Sequence, residues 1–153
     1  MPDGELRPFT TFAFRVSLQV AGQPDVVCAA DFAECAGLEM SMTTKTIREG
    51  GNNCRPIHLA GPVSYGELTL KRGMSEDFGL WRWFREVQEN PSLRASGEIA
   101  MLSSDVARVT DVRFEIEGCL PTKLKAPALS AKDGLIAIEE MTLAYEMLSL
   151  ATP

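Results

Sequence analysis

Ile47-Arg48-Glu49-Gly50-Gly51-Asn52-Asn53, then Pro56 to Gly61, then Leu68-Thr69-Leu70-Lys71-Arg72-Gly73: the chain leaves a strand, makes a long polar excursion, and comes back as a strand. Arg48 and Glu49 lead into paired glycines and paired asparagines, residue types that accept turn conformations with φ > 0. The segment reads as loop through Gly61-Pro62 and then as a short strand ending at Gly73, where Leu68 and Leu70 alternate with Glu67, Thr69 and Lys71. Connections this long are uncommon in a compact domain unless they serve a function or are disordered. No pair of residues in it forms a catalytic constellation, so a contact surface is the expected role. Its glycines have neither the GxGxxG nor the GxxxxGKS/T spacing, and Lys45 lies upstream of them, which argues against a phosphate cradle.

On the N-terminal side, Phe12, Phe14, Val16, Leu18 and Val20 alternate with Ala13, Arg15, Ser17 and Gln19, the pattern of a half-buried strand. Gly22 to Asp25 reads as a turn. A weaker strand pattern runs from Val26 through Met42, broken at Gly37, and the β-branched run Thr43 to Ile47 extends it toward the excursion. On the C-terminal side lies one helix. Leu80, Trp83, Phe84 and Val87 fall at i, i+3, i+4 and i+7, with Arg82, Arg85, Glu86 and Glu89 around them. Ser75 or Asp77 is placed to cap it and Asn90-Pro91 to stop it. Trp83 belongs to the apolar stripe and the core. Trp81 lies beside the stripe, where a tryptophan suits either a core edge or a subunit contact.

Beyond the helix the pattern is β again. Ala95 to Leu102 reads as a strand and Ser103-Ser104-Asp105 as a turn; Val112, Phe114 and Ile116 then alternate with Asp111, Arg113, Glu115 and Glu117. Gly118 to Gly134 reads as a Pro-rich lead-in to a last strand, Leu135 to Leu148. That strand sets Ala137, Met141, Leu143, Tyr145 and Met147 opposite Glu140, Thr142, Ala144 and Glu146. The resulting fold is mainly β: a small barrel or sandwich of two packed sheets with one flanking α-helix. The 153 residues are the size of one domain, 1–153, with 1–10 expected as a flexible N-terminal segment.

The succession Arg-Glu-Gly-Gly-Asn-Asn, Pro/Gly-bearing loop, Leu-Thr-Leu-Lys-Arg-Gly and Trp-rich helix resembles the tail tube family of contractile phages. That family also supplies the inner tube of phage-derived contractile injection systems. The likeness runs from about Phe12 to Leu150, through Arg113-Phe114-Glu115-Ile116, Pro121-Thr122-Lys123, Pro127 with Leu129, and Ile138-Glu139. It implies hexameric rings, with strands of neighbours continuing one sheet around a channel, stacked into a tube that a contracting sheath drives through an envelope. Its partners would be further copies of the chain, sheath, baseplate or hub and tube-terminator proteins, and cargo in the lumen. Arg48, Glu49, Gly50, Gly51, Asn52, Asn53 and Trp81 would make the subunit and ring contacts. Candidate lumen-lining residues are Asp111, Arg113, Glu115 and Glu117 on one strand, with Glu140 and Glu146 on another. Leu120 and Leu124 stand where aromatic residues are common in the family, and Ala126 where glycine is, so a tube-initiator ring at the baseplate is the alternative role.

Other classes fare worse. The net charge of −6 argues against a basic nucleic-acid footprint and against sequence-specific nucleic-acid binding. No run of eighteen apolar residues suits a membrane-spanning helix, and Met1 to Pro8 have neither the basic start nor the apolar core of a secretory signal. Assembly in the bacterial cytoplasm, into a phage tail or tail-like particle, is the expectation. Cys28, Cys35, Cys54 and Cys119 form no CxxC pair and His58 is the single imidazole, so no structural zinc site is expected and the cysteines read as small buried or half-buried thiols. Asp31 with Glu34, or Glu139 with Glu140, are the available carboxylate pairs. Nothing in sequence places a substrate beside them, and adjacent Glu139 and Glu140 point to opposite faces of a strand, one solvated and one ion-paired. No enzyme and no cofactor is expected. A small barrel binding an apolar ligand is the alternative from another class.

Overall fold

The computed structural model describes residues 14–23, 26–30, 32–48, 50–51, 55–101, 112–132, 134 and 136–151. The expected flexible segment 1–10, the turn at 103–105, and Asp31, Glu49, Asn52, Asn53, Cys54 and Asp111 lie outside these residues. Among the described residues, ten strands and one helix follow in the order β1 (Phe14–Val20), β2 (Val26–Ala30), β3 (Glu34–Ala36), β4 (Met40–Ile47), β5 (Ile57–Tyr65), β6 (Glu67–Gly73), α1 (Gly79–Glu89), β7 (Ala95–Met101), β8 (Val112–Lys125), β9 (Ile138–Ala144) and β10 (Met147–Ala151). The fold is mainly β with one helix, as the alternation implies, and among the described residues its main sheet does not close into a barrel. Eight strands form that sheet in the order β2-β1-β7-β8-β9-β6-β3, with β10 added to β8, and β4-β5 stand apart as a two-stranded sheet.

β8 joins the two halves of the main sheet. Its first part pairs with β7 and β10, from Val112 to Cys119, and its last part pairs with β9, from Leu120 to Lys125. Near the end of the first part Gly118 takes φ 65°, and a Cβ there would meet the Glu146 carboxylate at 2.5 Å, so this bend needs glycine. Gly118 to Lys125 is therefore strand, where sequence suggests a lead-in loop. Pro121 is tolerated because the pairing is irregular just there, between Pro121 and Lys123.

The apolar faces of the two halves meet in one cluster. Val16, Leu18 and Val20 of β1 with Ile99 and Ile116 belong to one half, and Leu68, Leu70, Met141 and Leu143 to the other, all almost fully buried. The helix covers this core with Leu80 and Trp83 buried and Phe84 and Val87 packed against it, the stripe that the i, i+3, i+4, i+7 spacing lays out. Its first turn is held by Asp77, whose Oδ1 accepts from Gly79 N–H at 3.0 Å, although the N-cap position itself falls on Phe78.

Two expectations need correction. The segment from Val26 to Ile47 is three strands, because the chain crosses from one edge of the main sheet (β2) to the other (β3) before it leaves as β4. The last strand, expected unbroken from Leu135 to Leu148, is interrupted at Tyr145-Glu146, where Glu146 N–H bonds Glu117 O at 2.8 Å. Met147 is consequently exposed rather than inside. Ala137 precedes β9 and is exposed as well.

Candidate functional site

The predicted excursion is a β-hairpin arm. β4 and β5 pair with each other from Met40↔Tyr65 to Ile47↔Ile57 and with no other strand among the described residues. Ile57 to Gly61, expected as loop, is strand: Ile57 pairs with Ile47 and Leu59 with Lys45, and Gly61-Pro62 are absorbed as a bulge opposite Thr43. What remains of the loop is the arm's tip, with Arg48, Gly50 and Gly51 exposed and Gly51 at φ 100°. Every residue of β4 is exposed, and the arm leaves Met40, Met42, Ile47, Ile57, Leu59 and Val63 between 39% and 62% open to solvent.

The root of the arm is fixed. Tyr145, at the interruption between β9 and β10, accepts a hydrogen bond from Glu39 N–H at 2.9 Å, and its hydroxyl lies 2.8 and 2.9 Å from the carbonyls of Gly37 and Glu39. Its ring packs on Tyr65 with centroids 5.7 Å apart, and Gly66 N–H bonds Glu39 O at 3.1 Å. The break in the last strand thus supplies the anchor for the arm. Sequence reasoning missed this, since Tyr145 reads there as one more inward residue of a continuous strand.

The expected lumen residues separate into two environments. Arg113, Glu115 and Glu117 are exposed on the outer face of β8. Register places Glu115 level with Glu98 of β7, Ser17 of β1 and Ser149 of β10, and Arg113 Nη1 lies 3.4 Å from Glu98. Ser17, Gln19, Ser96, Glu98, Glu115 and Glu117 line an open depression of about 310 Å³ on this face. The polar alternate positions of β1 and β7 signal it in sequence, but which strands are neighbours is not legible there. Glu140 belongs elsewhere: it stands in register between Lys71 of β6 and Lys125 of β8. Glu146 is at the interruption, 3.9 Å from Arg94. The two edge strands of the face, β2 and β10, have no partner on their outer sides among the described residues.

Trp81 is half-buried and donates from Nε1 to Glu139 Oε2 at 2.8 Å, while Phe84, Arg85, Gln88 and Leu124 surround its open side. Glu139 is buried on the core face and ion-paired with buried Arg72, and Glu140 faces the other way, as the strand geometry requires. Arg72 also donates to Asp77 O at 2.9 Å and lies over the Phe32 ring, 5.4 Å from its centroid. Glu34 pairs with Lys71 at 3.6 Å, and His58 Nδ1 lies 3.4 Å from Thr46 Oγ1 on the exposed arm.

Cys119 is buried and Cys35 half-buried. Burial pushes the Cys35 thiol up to about 11; burial first, and then the Glu146 carboxylate, push Cys119 up to about 12. The thiolate is the reactive form, so both are expected to alkylate at least about a hundredfold more slowly than free cysteine at pH 8. Site-resolved mass spectrometry of iodoacetamide labelling tests this, and labelling at the free rate in the folded protein would refute it. Because both folded pKa values lie above the unfolded one, their contribution to stability is full below about pH 9. It is lost as pH rises through about 11 for Cys35 and about 12 for Cys119.

The family model of the T4-like virus tail tube protein gp19 matches residues 10–149. No curated protein gives a significant match. Among solved structures, the chain is similar to one from the anti-feeding prophage baseplate, a six-fold symmetrised cryo-EM structure, at 23% identity and TM-score 0.79, covering 95% of this chain and 96% of that one. It is also similar to one from the sheath-tube complex of the extracellular contractile injection system PVC in its extended state, at 22% identity and TM-score 0.76, covering 97% and 95%. Hcp1 of E. coli EAEC 042 is more distant, at 11% identity and TM-score 0.58, covering 92% and 97%. At these identities the structural likenesses establish the fold.

Proposed function

Since the chain belongs to the T4-like virus tail tube protein family, we propose that it is a structural subunit of the inner tube of a contractile, phage-tail-like injection apparatus. Copies form hexameric rings, and the rings stack into a conduit for cargo. The observation that carries this reading is the arm. Isolated two-stranded hairpins are marginal in water, and one that leaves six large apolar side chains open calls for other protein surfaces to cover it. The outer sides of β2 and β10 support the same reading, because unpaired strand edges invite further strands and a closed ring removes them. Arg48, Gly50 and Gly51 at the arm tip and the open side of Trp81 are proposed contact residues, together with Glu49, Asn52 and Asn53, which lie outside the described residues. The polar face of β1, β7, β8 and β10 is proposed to line the lumen.

The partners follow from the same role: sheath outside, baseplate or hub below, terminator above. Among the described residues no helix is long and apolar enough to cross a membrane, and assembly is proposed to take place in the bacterial cytoplasm. The role is mechanical, without catalysis or cofactor. A tube-initiator ring is the second reading, favoured by the likeness to a chain of a baseplate structure. A ligand-binding barrel is not favoured, because the sheet is open and Leu18, Leu68, Ile116 and Met141 fill the space between its halves.

The purified protein is expected to form rings at low concentration and tubes at high concentration, seen by negative-stain microscopy and light scattering. A species that stays monomeric over a hundredfold concentration range would overturn the proposal.

A further inference from the structure

The two legs of the arm cross where they leave the body. One leg runs from Gly37 to Glu39, between β3 and β4, and the other from Tyr65 to Glu67, between β5 and β6. Gly37 takes φ 106°, and a Cβ there would collide with the Glu67 carbonyl. A Cβ on Gly66 would lie 2.5 Å from Glu39 Cγ, so each leg passes over a glycine of the other. Gly66 N–H bonds Glu39 O at 3.1 Å across the crossing.

Tyr145 fastens this crossing to the core. Register sets Ala144 opposite Glu67, which brings the next residue, Tyr145, beside the legs. Its hydroxyl accepts from Glu39 N–H at 2.9 Å, and its one proton serves Gly37 O at 2.8 Å, since Glu39 O already takes Gly66 N–H. The side chain is buried within the core cluster, so packing holds the hydroxyl in place. Packing alone does not call for that hydroxyl, because phenylalanine would fill the same space against Tyr65 and the core. A buried hydroxyl costs stability unless it is bonded, and here its bonds go to the backbone of one arm leg. Beyond the crossing, β4 and β5 pair with no strand of the body among the described residues, so the direction of the arm is set at its root. The eight residues of β4 make a long lever. Over about 26 Å of strand, a swing of about 10° at the root displaces the tip by about 5 Å, more than the rise of one residue.

Resting on the tube reading above, we infer that Tyr145 is a positioning residue for assembly. Its hydroxyl presets the direction of the arm in the free subunit, so the rate of ring and tube growth depends on it and the persistence of the finished tube does not. An arm free to swing points in the productive direction for only a fraction of encounters, and association slows by that fraction. Once neighbouring copies cover the arm they hold its direction themselves, and dissociation no longer senses the hydroxyl.

Tyr145→Phe removes the hydroxyl and keeps the ring. In the free subunit, amide hydrogen exchange at Glu39 and Gly66 is expected to quicken at least tenfold, with the fluorescence of Trp81 and Trp83 unchanged. Light scattering should show association at least tenfold slower at equal concentration. Tubes grown at high concentration and then diluted should fall apart within twofold of the parent's rate. Gly37→Ala, which forces the crossing open from the other side, is expected to show the same split. Ser41→Ala, which removes a 2.9 Å hydrogen bond to Ser64 inside the arm, should assemble like the parent. Association of Tyr145→Phe within twofold of the parent, a defect that appears as faster dissociation, or altered tryptophan fluorescence would each overturn the inference while the parent still forms tubes. A parent that never assembles would overturn the tube proposal and the assembly role of Tyr145 with it. Unchanged exchange at Glu39 and Gly66 would separately show that the hydroxyl does not hold the arm.

Discussion

Glu139→Ala is expected to cost about 3–5 kcal/mol of folding stability, the usual effect of removing one member of a buried ion pair. Glu139 is fully buried and holds two donors at once, the Arg72 guanidinium and Trp81 Nε1. Alanine would take from Arg72, itself 4% exposed, its nearest described carboxylate, the Asp77 carboxylate lying farther off at 3.4 Å. It would also unfasten the helix from β9, since Trp81 and Asp77 both reach this cluster from the helix side. For a domain of this size the loss corresponds to a fall in Tm on the order of 10 °C. It should be measured at concentrations below assembly, because association would mask it. Glu139→Gln should cost less, as the amide oxygen still accepts from one of the two donors. Replacing both partners, Arg72→Met with Glu139→Leu, should recover much of the loss, since apolar substitutes of similar volume remove the desolvation penalty. A Glu139→Ala protein within about 0.5 kcal/mol of the parent would show that the pair contributes little.

The adjacent carboxylates Glu139 and Glu140 show how far sequence carries. Strand alternation alone assigns one to the inside with a cation and one to the outside, and the structure places them so. The helix stripe from Leu80 to Val87 was legible for the same reason: a strong period that tertiary packing reinforces. What failed were the places where periodicity is broken on purpose. Gly61-Pro62 looks like the end of a loop but is a bulge within a strand, because pairing with β4 outweighs the local turn preference of both residues. Gly118 and Pro121 look like a lead-in but are the bend and irregularity that let one strand serve two half-sheets. Tyr145 continues an alternating run in sequence, yet its hydroxyl ends the run by holding the arm root. Strand order was not legible at all, since pairing partners are set by long-range packing. The lumen candidates were therefore grouped by strand, whereas the register groups Glu115 with Glu98 and Ser17 and removes Glu140 to the company of two lysines.

Glu115→Lys with Glu117→Lys is expected to turn a conduit that excludes acidic polymers into one that retains them. On the proposed luminal face the described charges are Glu98, Glu115 and Glu117 against Arg15 and Arg113, a net −1 per copy, and the double substitution makes it +3. Glu98 is already engaged by Arg113, so Glu115 and Glu117 supply the surplus. In the proposed tube, a ring would repeat the change around a narrow channel, where fields of one sign add and are focused by the low-dielectric wall. Both residues are exposed and the face does not pack in the core, so the substitutions should leave the fold and tube formation intact. The measurement is retention of fluorescent polyglutamate by purified tubes, expected at low salt and lost toward 1 M salt, where the Debye length shrinks to about 3 Å. Glu140→Lys is the comparison, because Lys71 and Lys125 flank it on the other half of the sheet and its face has no unbalanced acid to reverse. Retention by Glu140→Lys tubes and not by the double variant would move the lumen to the face of β6 and β9. Failed sheath assembly with unchanged exclusion would put the β8 face on the outside of the tube.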